Sequence, residues 1–256
     1  MYRDHHIAVV VPAYREARLL PGTLRGVPHF VDHIIVIDDG SDDETASVGH
    51  AARPEAETIR HGENQGVGAA ITTGYLRSLE LGADIAVVIG ADGQMDPAEM
   101  TALLDPIVEG RADYTKGDRL GHPLLWRRMP WRRIFGSWVL TWMTRAASGH
   151  WQVRDSQCGY TAIRNQTLAA LPLRSLYPRY GYPNDMLIRL GELGARVLDR
   201  PITPIYGTEA SGLKIHRVMG PIAWLICKGG TRRMVGRLKR RPLEAPHPLP
   251  VIREDA

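Results

Sequence analysis

Apolar and polar positions alternate in blocks along the first half of the chain. Short β-branched runs at 7–11, 34–37 and 85–89, and a less apolar one at 114–116, each suit one buried strand and are too short for a helix. Between them, apolar residues recur at helical spacing over about 16–24, 44–52, 67–81 and 97–108. Buried strands alternating with helices predict an α/β fold with a mostly parallel central sheet and helices on both faces. The second half changes character. Residues 117–133 mix Pro, Gly, Trp and Arg without periodicity and read as a long loop or lid, followed by a helix at about 134–147. Strand-like segments at 160–163 and 196–198 flank a helix over 185–193, and a helix-like segment covers 218–226. The organisation expected is a catalytic domain over 1–212, a basic amphipathic segment over 213–241 and a disordered Pro-rich tail over 242–256.

Composition supports one sizeable domain: 256 residues, 44% hydrophobic and 23% charged. No apolar run approaches the roughly 20 residues of a spanning helix. Arg3, Asp4, His5 and His6 precede the first apolar stretch, a pattern unlike a cleavable signal, so a cytoplasmic location is expected. Cys158 and Cys227 lack metal spacing and read as two free thiols. The net charge of +4 is unevenly divided. From Lys214 onward, 10 Lys and Arg face 3 Asp and Glu, leaving +7 on the tail and −3 on the body. The pI near 9.2 therefore describes a basic tail on a mildly acidic body, and an anionic surface is its expected neighbour.

In parallel sheets ligands sit beyond the carboxyl ends of the strands. The loops there are 12–16, 38–43 and 90–96, all acidic, and they should converge on one edge. In Asp38-Asp39-Gly40-Ser41, a carboxylate could accept hydrogen bonds from a ribose or a base, with Gly40 allowing the turn; helix capping by Ser41 or Asp42 is the plainer alternative. In Gly90-Ala91-Asp92-Gly93-Gln94-Met95-Asp96-Pro97, Asp92 and the oxygen donors after it suit a hard divalent cation that also bridges phosphates. Asp96 before Pro97 reads as a helix cap.

Together with Pro12-Ala13-Tyr14-Arg15-Glu16 and Asn64-Gln65-Gly66-Val67-Gly68-Ala69-Ala70, these segments resemble the family 2 glycosyltransferases, and within them the dolichyl-phosphate mannose synthase-like branch. Gly117-Asp118-Arg119, Asp155-Ser156-Gln157-Cys158-Gly159-Tyr160, Tyr180-Gly181-Tyr182-Pro183-Asn184-Asp185 and residues 206–214 extend the likeness over about 7–214. The resemblance implies a GT-A-like nucleotide-diphospho-sugar transferase fold. It implies that Pro12, Ala13, Tyr14 and Glu16 wrap base and ribose, that Asp39 bonds the base, and that Gly40 and Gly66 shape the same site. It also implies that Asp92 and Gln94 hold Mg²⁺ or Mn²⁺. Gly90 stands where the family's first metal-motif acid would be, so Asp96 would have to compensate or the diphosphate itself would hold the metal. Arg15 replaces a common Asn, and Val67 replaces a basic residue of some relatives.

On the acceptor side the resemblance assigns Arg119 to the phosphate of a lipid acceptor, with Arg132 or Arg133 as candidates for a second guanidinium. Asp155 and Asp185 are candidate general bases if the nucleophile is a hydroxyl; a phosphate nucleophile needs none. Lys214 would neutralise the departing diphosphate, while His216 reads as a surface residue. The expected reaction is metal-dependent, inverting transfer to a polyprenyl phosphate at the cytoplasmic membrane face, with the basic segment and Trp126 and Trp131 at the bilayer surface. The reading leans to a uridine diphosphate sugar over a guanosine one. Its main alternative is a soluble transferase acting on a hydroxylated small molecule. A nucleotidyltransferase and a nucleic-acid binder are weaker readings, the first for want of a Gly-rich triphosphate loop with its basic residue.

Overall fold

The computed structural model describes residues 1–121, 131–203, 205 and 215–239, with the backbone alone given for 131–133, 215–219 and 236–239. Three β-branched runs become the centre of the sheet: β1 (Ile7–Ala13) lies with β2 (His33–Asp38) in parallel on one side. β3 (Glu57–Arg60) adds to β2 in parallel at the edge, and β4 (Ile85–Val88) pairs in parallel with β1 on its other side. The periodicity does not predict β3, because its Glu-Thr-Ile-Arg sequence is that of a partly exposed edge strand with charged ends. β5 (Tyr114–Asp118), β6 (Thr161–Arg164) and β7 (Val197–Pro201) complete a seven-stranded sheet of order β3-β2-β1-β4-β6-β5-β7. The sheet is mostly parallel as expected, but β6 runs antiparallel to both β4 and β5.

Alternate side chains of β1 feed two cores. Ile7, Val9 and Val11 pack with Leu20 and Leu24 of α1 (Leu20–Gly26) and with Leu103 and Leu104 of α4 (Met100–Val108). α2 (Thr45–Ala52) packs beside α1. On the other face Ala8 and Val10 pack with Ile71 and Tyr75 of α3 (Val67–Glu80). The predicted helix at 16–24 starts only at Leu20, since Arg15 adopts a left-handed φ of 56° and Glu16 stays in the loop, its N–H donating to Thr45 Oγ1 at 2.9 Å. The segment 97–108 divides into a tight turn at Pro97–Glu99 and α4.

The second half adds α5 (Trp131–Ser148), the short α6 (Asn165–Ala169), α7 (Tyr182–Leu193) and α8 (Ile215–Lys239). The expected loop at 117–133 is shorter at both ends, because Gly117 and Asp118 belong to β5 and 131–133 to α5; residues 122–130, with Trp126, Arg127 and Arg128, lie outside the described residues. A third apolar cluster joins Leu140 and Ala147 of α5, Ile188 of α7, and Ile222 and Ile226 of α8. α8 extends well past the helix read at 218–226. Among the described residues no helix is long and apolar enough to cross a membrane.

Candidate active site

A cleft of about 260 Å³ opens where β1, β2 and β4 end. The three acidic loops meet there: Pro12, Ala13, Tyr14 and Glu16 from the first, Asp39 from the second, Gly90, Ala91 and Asp92 from the third. The start of α3 contributes Gly66, Val67 and Ala70, and Asn64 precedes them.

Asp39 is 2% exposed and held by the protein itself. Its Oδ1 accepts the Gln65 N–H at 3.0 Å and its Oδ2 the Gly66 N–H at 2.8 Å, while His61 Nδ1 lies 2.8 Å from Oδ1. His61 Nε2 is in turn 3.0 Å from Thr73 Oγ1. The carboxylate is thus fixed from behind, and its aim does not depend on a ligand. Gly40 sets the turn after it: its φ is +73°, and a Cβ would lie 2.6 Å from the Glu63 carbonyl carbon. Gly66, at φ +103°, lets the chain pass so near Pro178 that a Cβ would lie 2.6 Å from its carbonyl oxygen. That contact brings Arg179 and Tyr180 into the cleft wall, residues no local pattern singles out as donor-site groups.

In the third loop Asp92 Oδ1 accepts the Gln94 N–H at 3.1 Å, which turns the carboxylate back over the loop. Asp96 does what its place before Pro97 predicts: Oδ1 accepts the Ala98 N–H at 2.9 Å. Glycine at 90 keeps the space beside Asp92 open, since a Cβ there would lie 3.1 Å from Asp92 Oδ1. Gln94 and Gly40 do not line the cleft.

The residues read from sequence for the acceptor lie beyond the end of β5 and, for Asp185, in the first turn of α7. Arg119 grips Asp155 with two bonds, Nε to Oδ2 at 2.7 Å and Nη2 to Oδ1 at 3.1 Å. Asp155 is fully buried; burial alone would raise its carboxyl, but Arg119, helped by Lys116, holds it down at about 2. The buried Lys116 donates to the Asp155 main-chain oxygen. Beside them, burial pushes the Asp199 carboxyl up to about 6 against the pull of Lys116. Asp185, 2% exposed, accepts from Arg189 Nε at 2.9 Å and from the Tyr177 N–H at 3.0 Å. Both carboxylates read from sequence as candidate bases are therefore engaged in ion pairs. A carboxyl held near 2 is suited to fixing a guanidinium and poorly matched to taking a proton at neutral pH. Lys214 lies outside the described residues, as do the side chains of Arg132, Arg133 and His216.

The model of the family described as Glycosyl transferase family 2 matches residues 8–171. A UDP-N-acetylglucosamine–dolichyl-phosphate N-acetylglucosaminyltransferase of Methanococcus voltae is 31% identical over 84% of this chain and 92% of its own length. An undecaprenyl-phosphate mannosyltransferase of Micrococcus luteus is 31% identical over 77% of this chain and 82% of its own. In fold, the chain is similar to Mycobacterium tuberculosis glucosyl-3-phosphoglycerate synthase, solved in complex with Mn²⁺, UDP and phosphoglyceric acid: TM-score 0.66, 18% identity, 90% of this chain and 78% of that one. The strand-end cleft, the GT-A-like sheet and a family match over more than half of the sequence converge: this chain is a glycosyltransferase and belongs to family 2.

Proposed function

We propose that the cleft binds a nucleotide-diphosphate sugar, a uridine one by preference, and that the enzyme passes the sugar to a polyprenyl phosphate in one inverting displacement. The observation that carries the choice of acceptor is the capture of Asp155 and Asp185 by Arg119 and Arg189. A hydroxyl acceptor needs a base, whereas a phosphate oxygen is already anionic. The names of the relatives, which act on dolichyl and undecaprenyl phosphates, support the same choice.

In this reading Pro12, Ala13, Tyr14 and Glu16 enclose base and ribose, and the preset Asp39 accepts a hydrogen bond from the base. Arg179 puts a cation into a wall that otherwise carries the carboxylates of Glu16, Asp39 and Asp92. Asp92 and Gln94 would hold Mg²⁺ or Mn²⁺. Among the described residues no three acidic, His or Cys side chains cluster as a metal cage. A single carboxylate fits a cation carried mainly by the diphosphate and water, as hard divalent ions often are. When bound, such an ion supplies charge against that growing on the leaving diphosphate. Arg119, its fork fixed by Asp155, holds the acceptor phosphate. One oxygen of that phosphate attacks the anomeric carbon, the bond from that carbon to the diphosphate breaks, and the electron pair leaves with the diphosphate. Lys214 neutralises that leaving group, and the cations of α8 meet an anionic leaflet on the cytoplasmic face.

The test is a transfer assay with a panel of nucleotide sugars, with Mg²⁺ or Mn²⁺, offering a prenyl phosphate and the matching prenyl alcohol. Transfer to the phosphate alone is expected. Transfer to the alcohol, abolished by Asp155→Asn, would overturn the acceptor assignment; no thermal stabilisation by any nucleotide sugar would overturn the donor site.

A further inference from the structure

α5 carries apolar side chains on both of its faces. Its inward face joins the buried Leu140 and Ala147 with the buried Thr141, Thr144 and Ser148. Its outward stripe, at 135, 138, 142 and 146, carries Phe, Trp, Trp and Ala, at the spacing that shares one helical face. Phe135, Trp138 and Trp142 are 60%, 55% and 50% exposed. Trp151 extends the row, its ring edge-on to Trp142 with centroids 5.7 Å apart. The inner hydroxyls have a clear reason to face inward. Thr141 Oγ1 accepts the Ser156 N–H at 3.1 Å and bonds its hydroxyl, and Asn184 Nδ2 donates to Thr144 Oγ1 at 2.6 Å. These bonds secure the loop that carries Asp155 and give no reason for aromatic rings on the other side. A contiguous exposed aromatic row marks an interaction site.

The neighbouring helix indicates the partner. α8 packs on α5 through Ile222 and Ile226, and its Arg233 Nη1 donates to the Ala147 carbonyl at 3.2 Å, at the end of α5. Lys228 lies over the exposed Trp224 ring at 4.8 Å. Residues 214–241 hold nine Lys and Arg and no carboxylate. Rings beside a cation-rich helix match the interfacial zone of an anionic bilayer, where aromatic side chains settle at headgroup level and cations meet lipid phosphates. A second copy of the same layer would set like charges against each other.

We propose that the outer face of α5, with Trp151, is the surface that seats this enzyme on an anionic bilayer, with the loop of Asp155 and Arg119 held directly behind it. The proposal deepens the polyprenyl-phosphate reading and rests on it for its purpose. The probe is the full chain co-sedimented with phosphatidylglycerol-containing phosphatidylcholine vesicles, with quenching of tryptophan fluorescence by brominated lipid. For Trp138→Gln/Trp142→Gln, vesicle partitioning should fall at least about tenfold, with quenching lost in proportion. Phe135→Ser should give a smaller drop. Nucleotide-sugar binding and transfer to a short, water-soluble prenyl phosphate should stay at wild-type level, while transfer to a vesicle-borne long-chain acceptor falls. Wild-type partitioning by the double variant would overturn the docking face, and so would an aromatic row that serves only to dimerise the chain in sedimentation equilibrium. Loss of partitioning in the double variant, with no transfer by the wild type to any prenyl phosphate, would sink the acceptor reading and leave the docking face standing.

Discussion

Around the cleft, apolar residues lie beneath the sheet's loops and polar ones above, while in the layer of α5, α7 and α8 that order is partly reversed. β1 sends Ile7, Val9 and Val11 into one core and Ala8 and Val10 into the other, so the strand end is the first place where polar groups can collect. In α5 the threonines are inside, bonding the Ser156 loop and Asn184, and the indoles are outside. The contrast shows that a helix holding a loop divides its inner face: Leu140 and Ala147 join the apolar cluster, Thr141 and Thr144 take the hydrogen bonds, and the indoles are left for another surface.

The two regions should break differently. The largest effect is expected at the Arg119–Asp155 pair. Asp155→Ala leaves Arg119, only 14% exposed, without its carboxylate, and removing one partner of a buried pair costs about 3–5 kcal/mol. Urea unfolding should register that loss together with loss of transfer. A stable Asp155→Ala variant would mean that the pair is not what holds this region. At the cleft the opposite split is expected. Asp92→Asn should lower kcat by about 10²–10³-fold with an unfolding midpoint closer to wild type than that of Asp155→Ala, because Asp92 lines the cleft and its amide isostere keeps an oxygen to accept the Gln94 N–H. Equal loss of stability in both variants would erase the distinction between a site built on a finished core and one built into it.

The same distinction decides how much could be read from the sequence. The cleft loops were legible because each follows a β-branched strand, so Asp39 and Asp92 are marked by position as well as by residue type. β3 was not, since an edge strand of Glu57, Thr58, Ile59 and Arg60 has no apolar run. Arg179 and Tyr180 were not assigned to the cleft, because they reach it through the close passage of Gly66 and Pro178, a tertiary contact. Asp155 and Asp185 could be named as important acids, but their pairing with Arg119 and Arg189 depends on how loops and α7 pack, and that pairing changes the chemistry assigned to them.

The carboxyls near Arg119 offer a pH test of this region. Asp199, pushed up to about 6, keeps its proton in the folded state over a range where the unfolded chain has lost it. Its contribution to stability is therefore full below about pH 4 and declines as pH rises to about 6. Asp155, held at about 2, works the other way: its contribution is present above about pH 4 and lost as pH falls towards 2. Each swing is on the order of 2–3 kcal/mol. His150, which burial holds at about 4, works against this decline over the same range, so the contribution of Asp199 is read as a difference: chemical unfolding from pH 3 to 7 should show the stability of wild type falling relative to Asp199→Asn between 4 and 6. An unchanged slope in that variant would assign the effect elsewhere.

The smallest effect tests the orientation of α5. Read by hydrophobicity alone, Trp138 and Trp142 would face the core and Thr144 the solvent, and Thr144→Val would be silent. In the structure Thr144 is 1% exposed, accepts from Asn184 Nδ2 and donates to the Leu140 carbonyl at 2.7 Å. Valine fills the same space without the oxygen, and Asn184, itself fully buried, keeps an amide hydrogen with nowhere to go. The expected cost is about 1–2 kcal/mol in a thermal or urea transition. Ala146, on the outer stripe one turn from Trp142, should accept lysine within about 0.5 kcal/mol. If Ala146→Lys were the costly change and Thr144→Val the silent one, α5 would face the other way, and its aromatic row would be core.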